Sequence, residues 1–160
     1  MNAASQVVIV GGGPGGYEAA LVAAHLGARV TMIDRDGLGG AAVLTDCVPS
    51  KTLIATADYM SMVDVAIDLG VRMHDHEGDV ISDASAELAQ INRRVLDLAA
   101  AQSEDIERRL DEVGVTIVRG TGRLVDASTV RAELSSGTEG LHRTQDFHAD
   151  VVLVSTGATP

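Results

Sequence analysis

Three glycines at the head of the chain, Gly11, Gly13 and Gly16, constrain its fold more than any other feature. Before them runs QVVIV (6–10), a short apolar segment rich in β-branched residues that reads as a buried parallel strand. After them GPGGYEAALVAAHLG (13–27) reads as an alanine-rich helix stopped by Gly27. ARVTMID (28–34) is a second buried strand. Strand, glycine turn, helix and strand within about 30 residues form a βαβ unit.

The G-x-G-x-x-G spacing has a steric purpose in that setting. Gly11 allows the tight turn, Gly13 lets a pyrophosphate approach the backbone, and Gly16 lets helix and strand pack closely. Pro14, within the loop, joins the cofactor-binding candidates, and the helix N-terminus offers N–H groups and a positive dipole end to phosphates. Asp34 ends the second strand, 18 residues past Gly16. A carboxylate there accepts hydrogen bonds from ribose hydroxyls and repels a 2′-phosphate. Arg35 follows it and joins the cofactor-binding candidates. The loop fits NAD and FAD equally.

The remaining pattern continues an α/β chain. A helix is expected from Ser50 to Leu69, closed by Gly70, and HDHEGD (74–79) reads as a polar turn. His74 and His76 could pair on a metal, but nothing else has the spacing to complete a site, so no metal is expected. A long helix over 83–113 carries an apolar stripe from Leu88 through Ile91, Val95, Leu98, Ile106 and Leu110 to Val113. VTIV (115–118) reads as a buried strand, 122–134 and 141–149 as small antiparallel ribbons, and 149–160 as a final buried strand. The expected fold is a Rossmann-type α/β domain, a parallel sheet with a small antiparallel β ribbon on one side. With 46% apolar but only 2% aromatic residues, its core must be built from Ala, Val, Leu and Ile.

A net charge of −11 argues against nucleic acid and anionic membranes as partners. No segment approaches the roughly 18 apolar residues of a membrane span. The N-terminus lacks a basic region followed by an apolar one, and a single cysteine suits a reducing compartment. These features read as a cytoplasmic protein.

GGAAVLTDCVPSK (39–51) makes a specific resemblance visible. It resembles the flavin-side segment of the pyridine nucleotide-disulfide oxidoreductases, whose pattern is G-G-T-C-x-x-x-x-C-x-P-S-K. Gly39 and Gly40 match the glycine pair, and Cys47, Pro49, Ser50 and Lys51 match the second half. GTGRL (120–124), with Gly122, is similar to the stretch whose backbone meets the adenine. STGATP (155–160), with Thr156 and Gly157, is similar to a further family signature. The resemblance implies non-covalent FAD, with NAD(P)H as co-substrate. It also implies that 1–160 is the N-terminal part of an FAD-binding domain. An NAD(P)H domain and a dimerisation domain would lie outside it, the whole protein would be a homodimer, and these 160 residues alone would be inactive.

The departures are as informative. Ala41 stands at the family's threonine and Ala42 at its first redox cysteine, so Cys47 is one half of a pair. The chain is similar to a disulfide-less branch acting as NAD(P)H:quinone reductases, which implies a quinone-like electron acceptor. A disulfide reductase of the dihydrolipoamide dehydrogenase type and a non-catalytic nucleotide-binding module are the alternatives. By the same resemblance Lys51 lies near the flavin ring. Cys47 either meets the flavin as a thiolate at a helix N-terminus or is a small buried residue without chemical duty.

Overall fold

Successive side chains of a strand point to opposite faces, and the first strand displays this directly. In the computed structural model, which describes residues 3–81, 85–135 and 143–158, β1 (Gln6–Val10) sends Val7 and Ile9 to one face and Val8 and Val10 to the other. Both sets enter apolar clusters. The strand is therefore covered on both sides, as its unbroken apolar run requires.

The chain proceeds from β1 through α1 (Pro14–His25), β2 (Arg29–Asp34), α2 (Gly40–Leu44) and α3 (Cys47–Asp68) to a two-residue pair, β3 (Met73–His74) and β4 (Val80–Ile81). It continues with α4 (Leu88–Glu112), β5 (Thr116–Asp126), β6 (Thr129–Leu134), β7 (Arg143–His148) and β8 (Val151–Val154). Six strands make one sheet in the order β7-β6-β5-β2-β1-β8. β5, β2, β1 and β8 are mutually parallel, and β5–β6–β7 is antiparallel.

The ribbon expected from the sequence is thus an extension of the main sheet. β5 is one continuous strand of 11 residues rather than a short strand followed by a separate ribbon. Thr116 to Arg119 pair with β2, and from Gly120 onward the strand pairs with β6. A side chain at Gly120 would collide with the Glu133 carbonyl, so glycine permits the close crossing where one pairing gives way to the other. The β5–β6 turn is tied by Asp126, whose Oδ1 accepts from the Ser128 N–H at 2.8 Å. The stretch SSGTEG (135–140), which reads from its sequence as the turn between the two ribbons, lies almost wholly outside the described residues.

One face of the sheet carries Ile9, Val30 and Met32 against Ala20 of α1, Val43 of α2, and Ile106 and Leu110 of α4. The other packs Val8, Val10 and Ile33 against Val130, Ala132 and Phe147 of the antiparallel strands. Helices cover one side and the curled β arm the other.

Several sequence expectations shift. The short helix α2 was not foreseen, and α3 begins at Cys47 rather than Ser50. Pro49 is tolerated because first-turn N–H groups have no intrahelical partner. α4 begins at Leu88 and not near 83. Its stripe is only partly covered: Val95, Ile106 and Leu110 are buried together with Ala99, while Leu88 and Leu98 remain exposed. Among the described residues β8 forms the sheet edge rather than a buried strand, and Val151 and Val154 are more than half exposed (54% and 56%).

Candidate functional site

The site lies where β1, β2 and β8 end. Gly11 turns with φ +103°, a left-handed value that glycine alone adopts readily. A Cβ at Gly11 would overlap the Ser155 carbonyl, and one at Gly16 would overlap the Gly11 carbonyl. These two glycines therefore serve close packing. Gly13 differs: its Cβ would meet nothing nearer than Gly40 Cα, 4.0 Å away. Gly13 keeps an open face where a ligand can reach the backbone.

The second glycine pair locks onto this loop. The Gly39 N–H donates to the Gly12 carbonyl at 2.8 Å. Gly40, at φ +55°, lies so near Gly13 that an added Cβ would stand 2.9 Å from Gly13 Cα. Glycine at both positions lets the two loops touch.

Asp34 joins the loop to the end of β2. Its Oδ2 accepts from the Gly12 N–H at 2.7 Å. Its Oδ1 accepts from the Gly37 N–H at 2.7 Å and the Asp36 N–H at 3.0 Å. Beside it Arg35 pairs with Asp36, donating from Nε at 2.9 Å and from the terminal nitrogen at 2.8 Å. This hydrogen bond and its charge hold the Asp36 carboxyl below its usual range and push the guanidinium higher still.

Two adjoining cavities open on these residues. The larger, about 520 Å³, is lined by Gly11, Gly13, Pro14, Asp34, Arg35, Gly40, Ala41, Ala42, Thr156 and Gly157, all foreseen as cofactor-binding. The smaller, about 230 Å³, reaches Gly122 and shares Gly11, Asp34, Arg35, Asp36 and Thr156 with the first. At Gly122 a Cβ would press against Val10 and Ile33 at 3.0 and 3.3 Å. Together the cavities trace a path from Ala42 across the glycine loop to β5.

Four foreseen residues are absent from these walls. Gly16 and Gly39 act behind the surface, through packing and a backbone bond. Cys47 and Lys51 sit on the first turn of α3, both exposed, beyond Thr45 where the larger cavity ends. The reading of Cys47 as a buried residue is therefore not met. The cavity walls also include Gly12, Thr45 and Ser155, which sequence reasoning missed. Gly12 lies between two motif positions and Ser155 directly precedes Thr156, so adjacency was the only available signal.

In the turn at 74–79, Asp75 Oδ1 accepts from the Glu77 and Asp79 N–H groups, each at 2.9 Å. This tight turn brings the exposed carboxylates of Asp75, Glu77 and Asp79 within 4.8 Å of one another. His74 instead faces the Gly78 carbonyl through Nδ1 at 3.0 Å. Among the described residues no helix is long and apolar enough to cross a membrane.

The chain is similar to several known proteins. A relative from Mycobacterium tuberculosis, an NAD(P)H dehydrogenase (quinone), is 45% identical over 98% of the chain. A dihydrolipoyl dehydrogenase of Chlorobaculum parvum is 31% identical over 99%. The chain spans 31% of the length of either relative. The crystal structure of LpdA from Mycobacterium tuberculosis superposes with a TM-score of 0.79 at 43% identity, over 98% of this chain and 32% of that one. The flavoprotein disulfide reductase RclA of Escherichia coli shares the fold at 18% identity, with a TM-score of 0.72 over 97% of this chain and 28% of that one. The profile described as pyridine nucleotide-disulphide oxidoreductase matches residues 5–160, nearly the full length, and the chain belongs to that family.

Proposed function

We propose that this chain is the FAD-binding part of a flavin-dependent NAD(P)H oxidoreductase that delivers electrons to a quinone-like acceptor. The fit to a dinucleotide rests on Gly13: it has open space where its neighbours have none, at the N-terminus of a 12-residue helix. The glycine loop would take the pyrophosphate, Asp34 a ribose hydroxyl, and the Gly122 end the adenine. Ala41 and Ala42 line the opposite end of the larger cavity and would face the flavin. When bound, FAD supplies a ring that takes a hydride from a nicotinamide and passes two electrons onward. Lys51 would place a cation toward that ring, and Cys47 would stand beside it.

The single observation that carries the quinone reading is Ala42 on the cavity wall, with Cys47 the only cysteine of these 160 residues. Lipoamide reduction runs through an enzyme disulfide and thiol exchange, and one cysteine cannot close an internal disulfide. A quinone needs only access to the reduced ring. The NAD(P)H dehydrogenase (quinone) relative supports the same reading.

The chain spans 31% of the length of these relatives, which leaves room for the NAD(P)H domain and the dimerisation domain that the family resemblance implies outside residues 1–160. We read the whole enzyme as a cytoplasmic homodimer, and these residues alone as inactive. Assaying the full-length enzyme with NAD(P)H against quinone and lipoamide tests the proposal. Quinone turnover without lipoamide turnover is expected, and heat should release FAD. Lipoamide turnover at a comparable rate, or recovery of NAD alone, would overturn it.

A further inference from the structure

Asp34 has fewer open acceptor sites than a ribose-binding carboxylate needs to hold both hydroxyls of a diol. A carboxylate offers about four lone-pair sites, two on each oxygen. Here Oδ1 already accepts two N–H groups, from Asp36 and Gly37, and Oδ2 accepts one, from Gly12. One site remains, on Oδ2, at the junction of the two cavities.

We infer that Asp34 is first a positioning residue, whose carboxylate braces the glycine loop against the 34–37 turn, and that it accepts only one adenosine ribose hydroxyl of the bound dinucleotide. The inference rests on the proposed FAD site and deepens it. The brace has a clear mechanical content. Gly12 stands between Leu38 and Asp34, with room for neither a side chain nor much movement: an added Cβ would lie 2.6 Å from Leu38 Cδ2 and 3.1 Å from Asp34 Oδ2. The Gly12 carbonyl in turn accepts from Gly39, so the bond from Asp34 fixes the one residue that links the glycine loop to both neighbouring segments. Losing the carboxylate would release Gly12, and with it the open face of Gly13 next in sequence.

An amide cannot substitute. Asparagine at this position would present an NH₂ group to at least one backbone N–H, donor against donor. It could still bond a single hydroxyl. Ribose contact alone therefore predicts that Asp34→Asn is mild, and bracing predicts that it is severe.

The test uses the full-length protein. In the wild-type protein stripped of FAD, hydrogen exchange should already show the Gly12, Asp36 and Gly37 amides protected. Asp34→Asn and Asp34→Ala should speed exchange at all three and lower the FAD-to-protein ratio alike, within about twofold of each other. Asp34→Glu, which keeps the acceptors, should recover part of the ratio. With the wild-type apoprotein, FAD analogues lacking the adenosine 2′- or the 3′-hydroxyl should split. One should bind about tenfold or more weakly, as expected for a lost hydrogen bond to a charged group, and the other near normally.

Unprotected amides in the wild-type apoprotein would overturn the brace without any variant. So would an Asp34→Asn protein that retains FAD while Asp34→Ala loses it. Equal weakening by both deoxy analogues would overturn the single-hydroxyl claim. If wild type bound neither FAD nor any analogue, the proposed function would fall, and amide protection would still decide the brace.

Discussion

The glycine loop and helix α3 carry the residues we assign to the same site, yet they are held in opposite ways. Around Gly11, Gly12 and Gly16 every approach is close, and the loop is tied to β2, β8 and the 39–40 turn. α3 runs for 22 residues without one buried side chain, and leaves Leu53, Ile54, Tyr59, Met62 and Val65 exposed. The first region derives its geometry from steric limits within this segment. The second bears Cys47 and Lys51, to which our proposal assigns the chemistry, on a surface that the described residues leave uncovered. A motif whose meaning is shape is complete here, whereas a motif whose meaning is reactivity depends on the flavin it would meet.

The largest expected effect that sharpens this contrast is on stability. Gly16→Ala places a methyl group on the Gly11 carbonyl and should destabilise the protein by about 2 kcal/mol or more. Leu53→Ala on α3, where the side chain is 46% exposed, should change stability by less than about 0.5 kcal/mol. Urea unfolding of both variants checks the pair, and equal losses would break the comparison.

Gly13→Ala separates binding from folding within the loop. Its methyl group has room, with Gly40 Cα 4.0 Å away, so stability should hold to within about 0.5 kcal/mol. The same methyl group enters the face offered to the pyrophosphate, and FAD retention should fall about tenfold or more, as when a hydrogen bond to a charged group is lost. Flavin absorbance against protein absorbance in the purified variant measures it.

Cys47→Ser should disturb FAD retention less than any change at Gly13 or Asp34. Cys47 is exposed, so an alkylating reagent should label it without denaturant in the protein stripped of FAD. Resistance of the native thiol to labelling would show that α3 is covered after all.

The smallest effect lies far from both regions. Asp146 pairs with Arg131 across β6 and β7 at 2.6 Å, and the hydrogen bond from the guanidinium holds its carboxyl below the usual carboxylate range. A depressed carboxyl stabilises the fold fully above its unfolded pKa and loses that contribution as pH falls through the folded one. Asp146→Asn should therefore slightly flatten the loss of stability below about pH 4 and leave neutral behaviour unchanged. An acid-unfolding series on both proteins tests the sign.

The sequence was most legible where local rules and tertiary packing agree. β1, α1 and β2 lie within about two residues of their expected ends, because the glycine turn, Gly27 and the apolar runs all mark the same boundaries. It was least legible where a distant partner decides. β5 continues through Gly120 because β6 takes over the pairing that β2 leaves, and a glycine there reads equally as the end of a strand. The apolar run in β8 reads as buried, yet its position in the strand order makes it an edge. α2 is five residues opened by two glycines, a composition that propensity alone assigns to a loop. Within the site, steric roles could be read from spacing. The triple engagement of Asp34 could not, because it depends on where three backbone N–H groups converge.

β1 sits between β2 and β8 in the sheet, and more than a hundred residues separate Asp34 from Val151. During synthesis at roughly 5–20 residues per second, one edge of the nascent β1 stays unpaired for on the order of ten seconds. An apolar strand with an open edge is a template for unwanted pairing, so this interval is when the chain is most exposed to aggregation. The docking of β8 closes the edge and also brings in Ser155, whose carbonyl abuts Gly11. Of the features described, the cofactor cradle therefore waits for β8, and a dinucleotide that needs Ser155 in place would bind after that step rather than guide the earlier pairing of β1 with β2.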